Sequence, residues 1–197
     1  MMTKILGVVG SLRSRSHTRK LVALALEEAA AIGAETRLLN LEETPLPMFN
    51  PERRGADPVE QQVRELVVWA DAFILGTPDY HGSMSGAMKN FLDFFWKEFT
   101  GKLFAYIVAS HEKGLTVQDQ LRTAVRQCYG WSLPYGIGFN GDAVFDGNDE
   151  LIDEVVAERV RMLAHDLTVY GGLIHGQFLR EIQNEPRAPG FARNFRP

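Results

Sequence analysis

The sequence predicts an α/β fold: a doubly wound, five-stranded parallel sheet with helices on both faces. Two patterns predict it. Short apolar runs without polar alternation are typical of strands buried on both faces. They alternate along the chain with segments whose apolar residues recur at the helical spacing i, i+3, i+4, i+7. Such alternation favours a parallel sheet, because each crossover helix packs back onto it. The 197 residues, 45% of them apolar, suffice for one domain with a sizeable core.

The strand predictions follow from the content of β-branched and aromatic residues. Three runs are strong: 5–9, 72–76 and 103–109. Two runs are weaker: 36–41, and 133–139 with 143–145 as a candidate continuation. Five strands favour the order 2-1-3-4-5 of the flavodoxin-like fold over a six-stranded dinucleotide-binding sheet.

Five sets of apolar positions predict the helices between and after these strands. They are Val22/Ala25/Leu26/Ala29, Val63/Leu66/Val67/Ala70, Met88/Phe91/Leu92/Phe95, Leu121/Ala124/Val125/Cys128 and Val156/Val160/Leu163/Leu167. Gly33 follows the first set, where the C-terminal glycine of a helix belongs. We expect one domain over residues 1–180 and a polar tail over 181–197.

Composition and charge exclude several classes of protein. The formal net charge of −4 argues against a nucleic-acid partner, and no apolar run reaches the roughly 18 residues of a membrane span. The single cysteine, Cys128, allows no intramolecular disulfide, and it lies on an apolar helical stripe that indicates a core residue. We therefore expect a cytoplasmic protein. The five histidines show no metal-binding spacing, so no metal site is predicted.

Ligands of a doubly wound sheet bind outside the carboxyl ends of the strands, where the direction of the connections reverses. That position selects two loops, 10–18 after the first strand and 77–86 after the third. Other motifs fail. No Walker loop occurs. The Gly-x-Gly-x-x-Gly pattern over 136–141 has no helix pattern opening at its last glycine, and the centre of 82–86 is Met84 where a hydrolase needs serine.

The first loop has the composition of an anion site. It runs from a buried strand into a helix, so backbone N–H groups and the positive end of the helix dipole converge on it. Ser11, Ser16 and Thr18 supply hydroxyl donors, and Arg13 supplies a guanidinium suited to phosphate. Residues 1–26 also carry five cationic side chains and no acidic one. The alternative is a plain turn in which Ser16 caps the helix. We favour phosphate binding.

The second loop has the backbone freedom and the aromatic side chain that suit a flat ligand. Pro78 fixes φ and removes one N–H, while Gly82 and Gly86 permit a close approach of the backbone. Tyr80 offers an aromatic face or edge. The alternative is that Tyr80 and His81 are ordinary surface residues.

Three motifs resemble those of the NADPH-dependent FMN reductase family. Gly10-Ser11-x-Arg13-x-x-Ser16 resembles its phosphate loop. Thr77-Pro78-x-Tyr80-x-Gly82-x-x-x-Gly86-x-x-Lys89-Asn90-x-x-Asp93 resembles its flavin loop and is the most specific motif. Leu46-Pro47-Met48-Phe49-Asn50 resembles the proline-containing loop after the second strand. The resemblance covers roughly residues 4–175. It implies a flavodoxin-like protein that binds FMN non-covalently and reduces flavins, quinones, azo dyes or metal oxyanions with NADPH or NADH.

The resemblance also implies positions for the cofactor. Ser11, Arg13, Ser16 and Thr18 would hold the FMN phosphate, with His17 in the same loop. Pro78, Asp79, Tyr80, His81 and Gly82 would line the cofactor from the phosphate to the edge of the isoalloxazine. In the loop after the fourth strand many members have closely spaced glycines, whereas this chain keeps only Gly114. Ser110 and His111 would meet the ring or the nicotinamide there, although His111 could equally be an exposed loop residue.

The resemblance predicts a reaction in which two substrates bind in turn. NADPH would deliver a hydride to FMN and leave, and a small-molecule electron acceptor would then take its place and receive two electrons. This scheme requires no side-chain acid or base, so no catalytic residue is nominated. The rivals are a flavodoxin-type electron carrier, for which the modest net charge gives little support, and a flavin-free binding module with the same sheet.

The third predicted helix indicates a partner subunit. Five aromatic residues lie within nine positions: Phe91, Phe94, Phe95, Trp96 and Phe99. One inward stripe cannot bury all of them, so we expect a homodimer or homotetramer through the segment Phe91–Phe99. The alternative is one large aromatic core that leaves Trp96 half exposed.

Overall fold

The fold is a parallel sheet between helical layers, in a computed structural model that describes residues 2–55, 57–183 and 190–195. Its strands are β1 (Lys4–Val9), β2 (Glu35–Asn40), β3 (Ala72–Tyr80), β4 (Ser83–Met84), β5 (Leu103–Ala109), β6 (Trp131–Ser132) and β7 (Ile137–Phe139). Its helices are α1 (His17–Ala31), α2 (Pro58–Trp69), α3 (Gly86–Phe94), α4 (Leu115–Gln127), α5 (Gly141–Val144) and α6 (Glu154–Gln183). Short 3-10 helices cover Pro51–Arg53, Lys97–Phe99 and Phe191–Phe195.

The predicted α/β class with a parallel sheet is confirmed, whereas the five-stranded order 2-1-3-4-5 was wrong. Over the described residues the sheet has seven strands in the order β2-β1-β3-β5-β6. Two short strands lie off this path: β4 pairs antiparallel with β3, and β7 pairs parallel with β5. The differences therefore come from a hairpin after β3 and from the edge of the sheet beyond β5.

The hairpin forms because the two residues between β3 and β4 both have positive φ. His81 has φ 57° and Gly82 has φ 75°, which is the backbone of the two-residue turn that suits a β-hairpin. The chain reverses there, and Tyr80 pairs with Ser83. A two-residue strand has no apolar periodicity, so the sequence carries no signal for β4.

Only 137–139 of the predicted edge strand 133–139 is a strand, β7, and the short strand β6 lies just before the predicted range. β6 pairs with the start of β5 and β7 with its end. Pro134 lies between β6 and β7, and a proline has no N–H to donate to a sheet ladder. The candidate continuation 143–145 is not a strand either, because its first two residues belong to α5 and Phe145 forms an isolated bridge with Leu151.

Each predicted helix is present, and the cores lie on both faces of the sheet. α1 and α6 pack on one face around Leu21 and Leu163, while α2, α3 and α4 pack on the other. Gly33 has φ 99° and donates its N–H to the Ala30 carbonyl, which confirms its place at the C-terminus of α1. This doubly wound arrangement leaves the carboxyl ends of the strands free to carry loops.

The aromatic residues of the third helix are mostly buried within the chain itself. α3 ends at Phe94, and Phe91, Phe94, Phe95 and Phe99 are each no more than 3% exposed. Trp96 is 50% exposed. The backbone turns after α3, so these side chains point into one core rather than around one long helix. The aromatic crowding therefore no longer argues for a partner subunit, and the predicted homo-oligomer stays a prediction.

Beyond residue 180 the structure describes residues 181–183 and 190–195. α6 takes in the first three residues of the predicted tail, and the phenylalanines of Phe191–Phe195 pack against Tyr129 and Phe178. The Tyr129 carbonyl accepts a hydrogen bond from the turn before β5. Residues 184–189 and 196–197 lie outside the described part of the chain. Among the described helices, none has the length and hydropathy needed to cross a membrane.

Candidate functional site

A cleft opens at the carboxyl ends of β1, β3 and β5, where this type of sheet binds ligands. Its volume is about 710 Å³, open solvent included. The lining residues are Ser11, Arg13, Arg15, Ser16, His17, Thr18, Pro78, Asp79, Tyr80, Ala109, Ser110, His111, Asn140, Gly141 and Asp142. Of the residues nominated from sequence, all but His81 and Gly82 lie here. Those two line an adjoining groove that shares Asp79, Ser110 and His111 with the cleft.

The first loop presents unpaired backbone donors. Among the described residues, the N–H groups of 14–18 donate to no protein acceptor. The first turn of α1 contains no acidic side chain, so the positive end of its dipole has no counter-charge of its own. Ser16 does cap α1, since its Oγ accepts a 3.1 Å hydrogen bond from the Arg19 N–H. This bond uses an oxygen lone pair and leaves the hydroxyl proton for another acceptor. These free N–H groups and the hydroxyl proton are donors of the kind that suit an anion.

Lys4 begins β1, and the other four cations of residues 1–26 divide into two groups. Arg19 pairs with Glu43 at 2.7 Å, and Lys20 pairs with Asp149. Arg13 and Arg15 are exposed and line the cleft, and no carboxylate of the described residues lies within 4.0 Å of either guanidinium. The sequence count of five cations therefore overstated the positive charge at this loop. Arg13 and Arg15 therefore offer to the cleft guanidinium groups that form no ion pair within the described residues.

One buried serine joins the first and second loops. The Ser85 hydroxyl donates to the Gly10 carbonyl at 2.6 Å and accepts from the Met88 N–H, which caps α3. The Ser85 N–H in turn donates to the Thr77 hydroxyl at 3.0 Å. Ser85 was not nominated from sequence, although its place as an N-cap residue before α3 was a readable signal.

Asp79 joins the second loop to the third. Its Oδ1 accepts from the Gly82 N–H at 2.8 Å, and its Oδ2 accepts from the Ser110 hydroxyl at 2.9 Å. The Ser110 Oγ also accepts from the Glu112 N–H at 3.2 Å. The Ser110 N–H donates to the Phe139 carbonyl at 2.8 Å, which fixes the third loop to β7. The second loop, the third loop and β7 are thus held together by one set of polar contacts.

Two histidines face solvent at the mouth of the cleft. His81 and His111 are both exposed, and Tyr80 is 43% exposed. Over the described residues, the backbone N–H groups of His81 and His111 donate to no protein acceptor. Gly114 ends the third loop with φ 61°, the left-handed conformation that favours glycine. These N–H groups and the aromatic ring are available to a planar polar ligand.

A fourth segment, Asn140 to Asp142, was missed by the sequence analysis. Gly141 begins α5, contrary to the expectation that no helix opens there. A Cβ at Gly141 would lie 2.0 Å from His17 Nδ1, so the glycine is required by the close approach of the His17 ring. That ring also stacks on Phe145, with centroids 5.2 Å apart. The His17 ring is therefore packed between Gly141 and Phe145 and forms part of the wall of the cleft. Gly141 was the available signal, but it was dismissed together with the Gly-x-Gly-x-x-Gly pattern that it ends.

The loop after β2 is tied to α3 next to the first loop. The Asn90 side chain donates to the Pro47 carbonyl at 2.9 Å and accepts from the Phe49 N–H at 2.8 Å. Leu12, Leu46 and other apolar side chains line a second cleft between this loop and the first loop. The proline-containing motif and the asparagine of the second motif thus meet in space.

The remaining candidates for chemistry are inert. Cys128 is half-buried against the core on the face of the sheet that α2, α3 and α4 cover, and burial, followed by the Glu98 carboxylate, raises the pKa of its thiol. A raised pKa keeps the thiol protonated and poorly nucleophilic at neutral pH. Within the described residues, no group of three or more His, Cys, Asp and Glu side chains is arranged to hold a metal ion.

The family model for NADPH-dependent FMN reductases matches residues 3–142, which include all four segments of the cleft. The chain belongs to the NADPH-dependent FMN reductase family. The family is one of oxidoreductases that depend on FMN and NAD(P)H. Membership confirms the resemblance carried by the first two loops.

Similar proteins span almost the whole chain. An FMN-dependent NADPH-azoreductase of Staphylococcus aureus is 29% identical over 175 residues, covering 83% of this chain and 92% of the relative. The NAD(P)H:(acceptor) oxidoreductase FerB of Paracoccus denitrificans has a similar structure, with a TM-score of 0.73, 20% identity, and coverage of 88% of this chain and 99% of FerB. A flavodoxin from the domain Archaea gives a TM-score of 0.61 at 12% identity, covering 86% of this chain and 99% of that one. The two structural likenesses show the fold alone.

The residues of the cleft fit FMN. At one end, N–H groups without a protein acceptor, buried hydroxyls and two guanidinium groups that form no ion pair within the described residues match a phosphate dianion. At the other end, Tyr80 and the free N–H groups of His81 and His111 match a planar ring with polar edges. The chemistry of the donors changes along the cleft in the same sense as the chemistry of the cofactor.

Proposed function

We propose that this chain reduces small-molecule electron acceptors with NADPH or NADH, using non-covalently bound FMN. The acceptor would be a flavin, a quinone, an azo compound or a metal oxyanion. The observation that carries the proposal is the cleft itself, which collects the anion-binding start of α1 and two polar loops at the point where the sheet reverses. Residues of the second and third loops, about 65 and 95 positions further along the chain than the first loop, meet the first loop there.

In this proposal the first loop holds the FMN phosphate. Ser11, Ser16 and Thr18 are each no more than 4% exposed and line the cleft with their hydroxyl groups, while Arg13 supplies a guanidinium from the surface. His17 contributes through its backbone N–H, because its ring is stacked on Phe145. An anion here would satisfy donors that otherwise face only water.

The second and third loops hold the rest of the cofactor. Pro78, Asp79, Tyr80, His81 and Gly82 line its path from β3, and Ser110 and His111 line it from β5. The Gly82 and Ser110 N–H groups already donate to Asp79 and to Phe139. We therefore assign contact with the polar edge of the ring to the N–H groups of His81 and His111.

FMN supplies the redox chemistry when bound, because its ring system can take up a hydride and release two electrons. The protein binds and orients both substrates at one open mouth, so NADPH and the acceptor bind in turn. Tyr80 and His111, exposed at that mouth, would contact whichever substrate is present. No side chain in the cleft has to transfer a proton in this scheme.

The proposal is tested by the absorbance spectrum of the purified protein and by anaerobic addition of NADPH. We expect the visible absorption of FMN and its bleaching by NADPH, followed by rapid NADPH oxidation when a quinone or free FMN is added. A protein that binds FMN but does not oxidise NADPH would be the flavodoxin-type carrier. A colourless protein without affinity for FMN would be the flavin-free binding module.

We further propose that the chain assembles as a homodimer or homotetramer through the segment Phe91–Phe99. The half-exposed side chain of Trp96 supports this assembly, because an indole ring at a subunit interface would be covered. A monomer at micromolar concentration in light scattering would refute this assembly.

A further inference from the structure

We propose that Asp79 is a positioning residue whose carboxylate holds the second and third loops at the separation that FMN requires. The inference deepens the proposed function and rests on it. Asp79 lies next to the last residue of β3 and is half-buried. Its position within the cleft would ordinarily mark it as a direct contact to the cofactor, but its hydrogen bonds assign it another role.

Each carboxylate oxygen of Asp79 is committed to a different loop. Oδ1 accepts from the Gly82 N–H at 2.8 Å, and Oδ2 accepts from the Ser110 hydroxyl at 2.9 Å. Gly82 and Ser110 lie 28 positions apart in sequence and follow different strands. An ionised acceptor makes stronger hydrogen bonds than a neutral one, so a carboxylate suits a bridge that must keep two loops in place.

The bond to Gly82 supports a strained turn. His81 has φ 57°, a conformation that few non-glycine residues adopt and that the surrounding structure must hold in place. Gln120 of α4 holds the other side of the same turn, because its Nε2 donates to the Gly82 carbonyl at 3.2 Å. The turn fixes where the free N–H of His81 points.

The bond to Ser110 shapes the third loop. The Ser110 Oγ donates to Asp79 and accepts from the Glu112 N–H at 3.2 Å, so the loop curls around His111. The His111 N–H is thereby left free at the mouth of the cleft. Asp79 thus controls, through Gly82 and Ser110, the spacing of the two N–H groups assigned to the edge of the ring.

Asparagine separates this role from one that depends on charge. In Asp79→Asn the amide oxygen can still accept from Gly82, and the amide NH2 can donate to the Ser110 oxygen. Asp79→Ala removes both bonds. Ser110→Ala removes one of them, and Asp119→Ala, at an exposed aspartate on α4, is the matched control.

The test is the dissociation constant of FMN for the full chain, measured by quenching of flavin fluorescence, with circular dichroism to monitor folding. We expect Asp79→Ala, which removes both hydrogen bonds, to raise the constant at least about tenfold. Asp79→Asn should stay within about threefold of the wild type by the same scale. The double variant Asp79→Ala/Ser110→Ala should bind FMN about as tightly as Asp79→Ala alone, because Asp79→Ala already removes the bond to Ser110. Its dissociation constant should therefore rise by less than the product of the two single effects.

Wild-type affinity in Asp79→Ala would overturn the inference and leave the proposed function standing. Equal loss in Asp79→Asn and Asp79→Ala would also overturn it, because charge rather than spacing would then matter. A wild-type chain that does not bind FMN would overturn the proposed function, and the inference with it. If Asp79→Ala does not fold, weakened binding in Ser110→Ala with retained binding in Asp79→Asn supports the inference, and the reverse pattern refutes it.

Discussion

The Ser85 hydroxyl lies 2.6 Å from the Gly10 carbonyl, across 75 residues of sequence, and donates a hydrogen bond to it. The bond joins the start of α3 to the loop after β1, so the first and second loops cannot separate without breaking it. A Cβ at Gly10 would lie 2.9 Å from the Ser85 Oγ and 2.8 Å from the Met88 Cβ. Glycine is therefore required at position 10 by this close approach, independently of any ligand.

Ser85→Ala should destabilise the protein and weaken its affinity for FMN. The substitution leaves a buried carbonyl without its partner and removes the N-cap of α3, so we expect the free energy of unfolding to fall by about 2 kcal/mol. Urea unfolding measures this change, and an FMN titration should show weaker binding. Thr123→Ala removes a hydroxyl from the exposed surface of α4 and is the control. Unchanged stability in Ser85→Ala would contradict the role of this bond.

Truncation to alanine should weaken FMN binding at Arg13 but not at Arg19. Arg13 has no carboxylate partner among the described residues and faces the cleft, whereas Arg19 is paired with Glu43 at 2.7 Å. Arg13→Ala should therefore raise the FMN dissociation constant by about tenfold, as expected for one lost charge-assisted hydrogen bond. Arg19→Ala should leave it nearly unchanged. Isothermal titration with FMN compares them, and equal effects in both variants would show that only overall charge matters.

His175 should make the protein less stable in acid. Burial, followed by the nearby Lys102 ammonium, lowers the pKa of His175 to about 4, while Asp71 partly offsets this. Between pH 6.5 and about 4 the unfolded chain binds a proton that the folded chain does not, so the free energy of unfolding rises with pH across this window. The neutral, buried His175 contributes about 3 kcal/mol to the free energy of unfolding. This contribution is fully present above pH 6.5 and is lost as the pH falls towards 4, the pKa of His175 in the folded chain.

The comparison of two histidine variants isolates this effect. His175→Asn should flatten the dependence of unfolding free energy on pH between 4 and 6.5, whatever its effect at neutral pH. His165→Asn changes a histidine whose side chain is 63% exposed and should keep the wild-type slope. Chemical denaturation at several pH values provides the slopes. The same steep slope in His175→Asn and in the wild type would assign acid sensitivity to other groups.

The sequence predicted the location of the site because topology determines it. Apolar runs such as 103–109 are buried on both faces and were recognised with their correct bounds. Once the strands and helices alternate, the carboxyl ends of β1 and β3 must meet at the reversal point, and the loops that follow them line one cleft. Local periodicity was therefore sufficient for the class of fold and for most of the lining residues.

The missed features depend on contacts that periodicity does not encode. β4 depends on two positive φ angles at His81 and Gly82, and the pairing of Lys20 with Asp149 depends on a loop more than 120 residues away. Phe95 and Phe99 are buried because the helix stops at Phe94, which apolar spacing alone did not show. Long-range polar contacts and backbone reversals determine these features, and neither leaves a periodic pattern in the sequence.

Riboflavin differs from FMN only by lacking the phosphate, so a comparison of the two affinities shows whether the first loop holds that group. We predict that the protein binds FMN at least about a hundredfold more tightly than riboflavin, the effect of two or more charge-assisted hydrogen bonds. Arg13→Ala should reduce this ratio by weakening FMN and not riboflavin. Equal dissociation constants for FMN and riboflavin would contradict phosphate binding by the first loop.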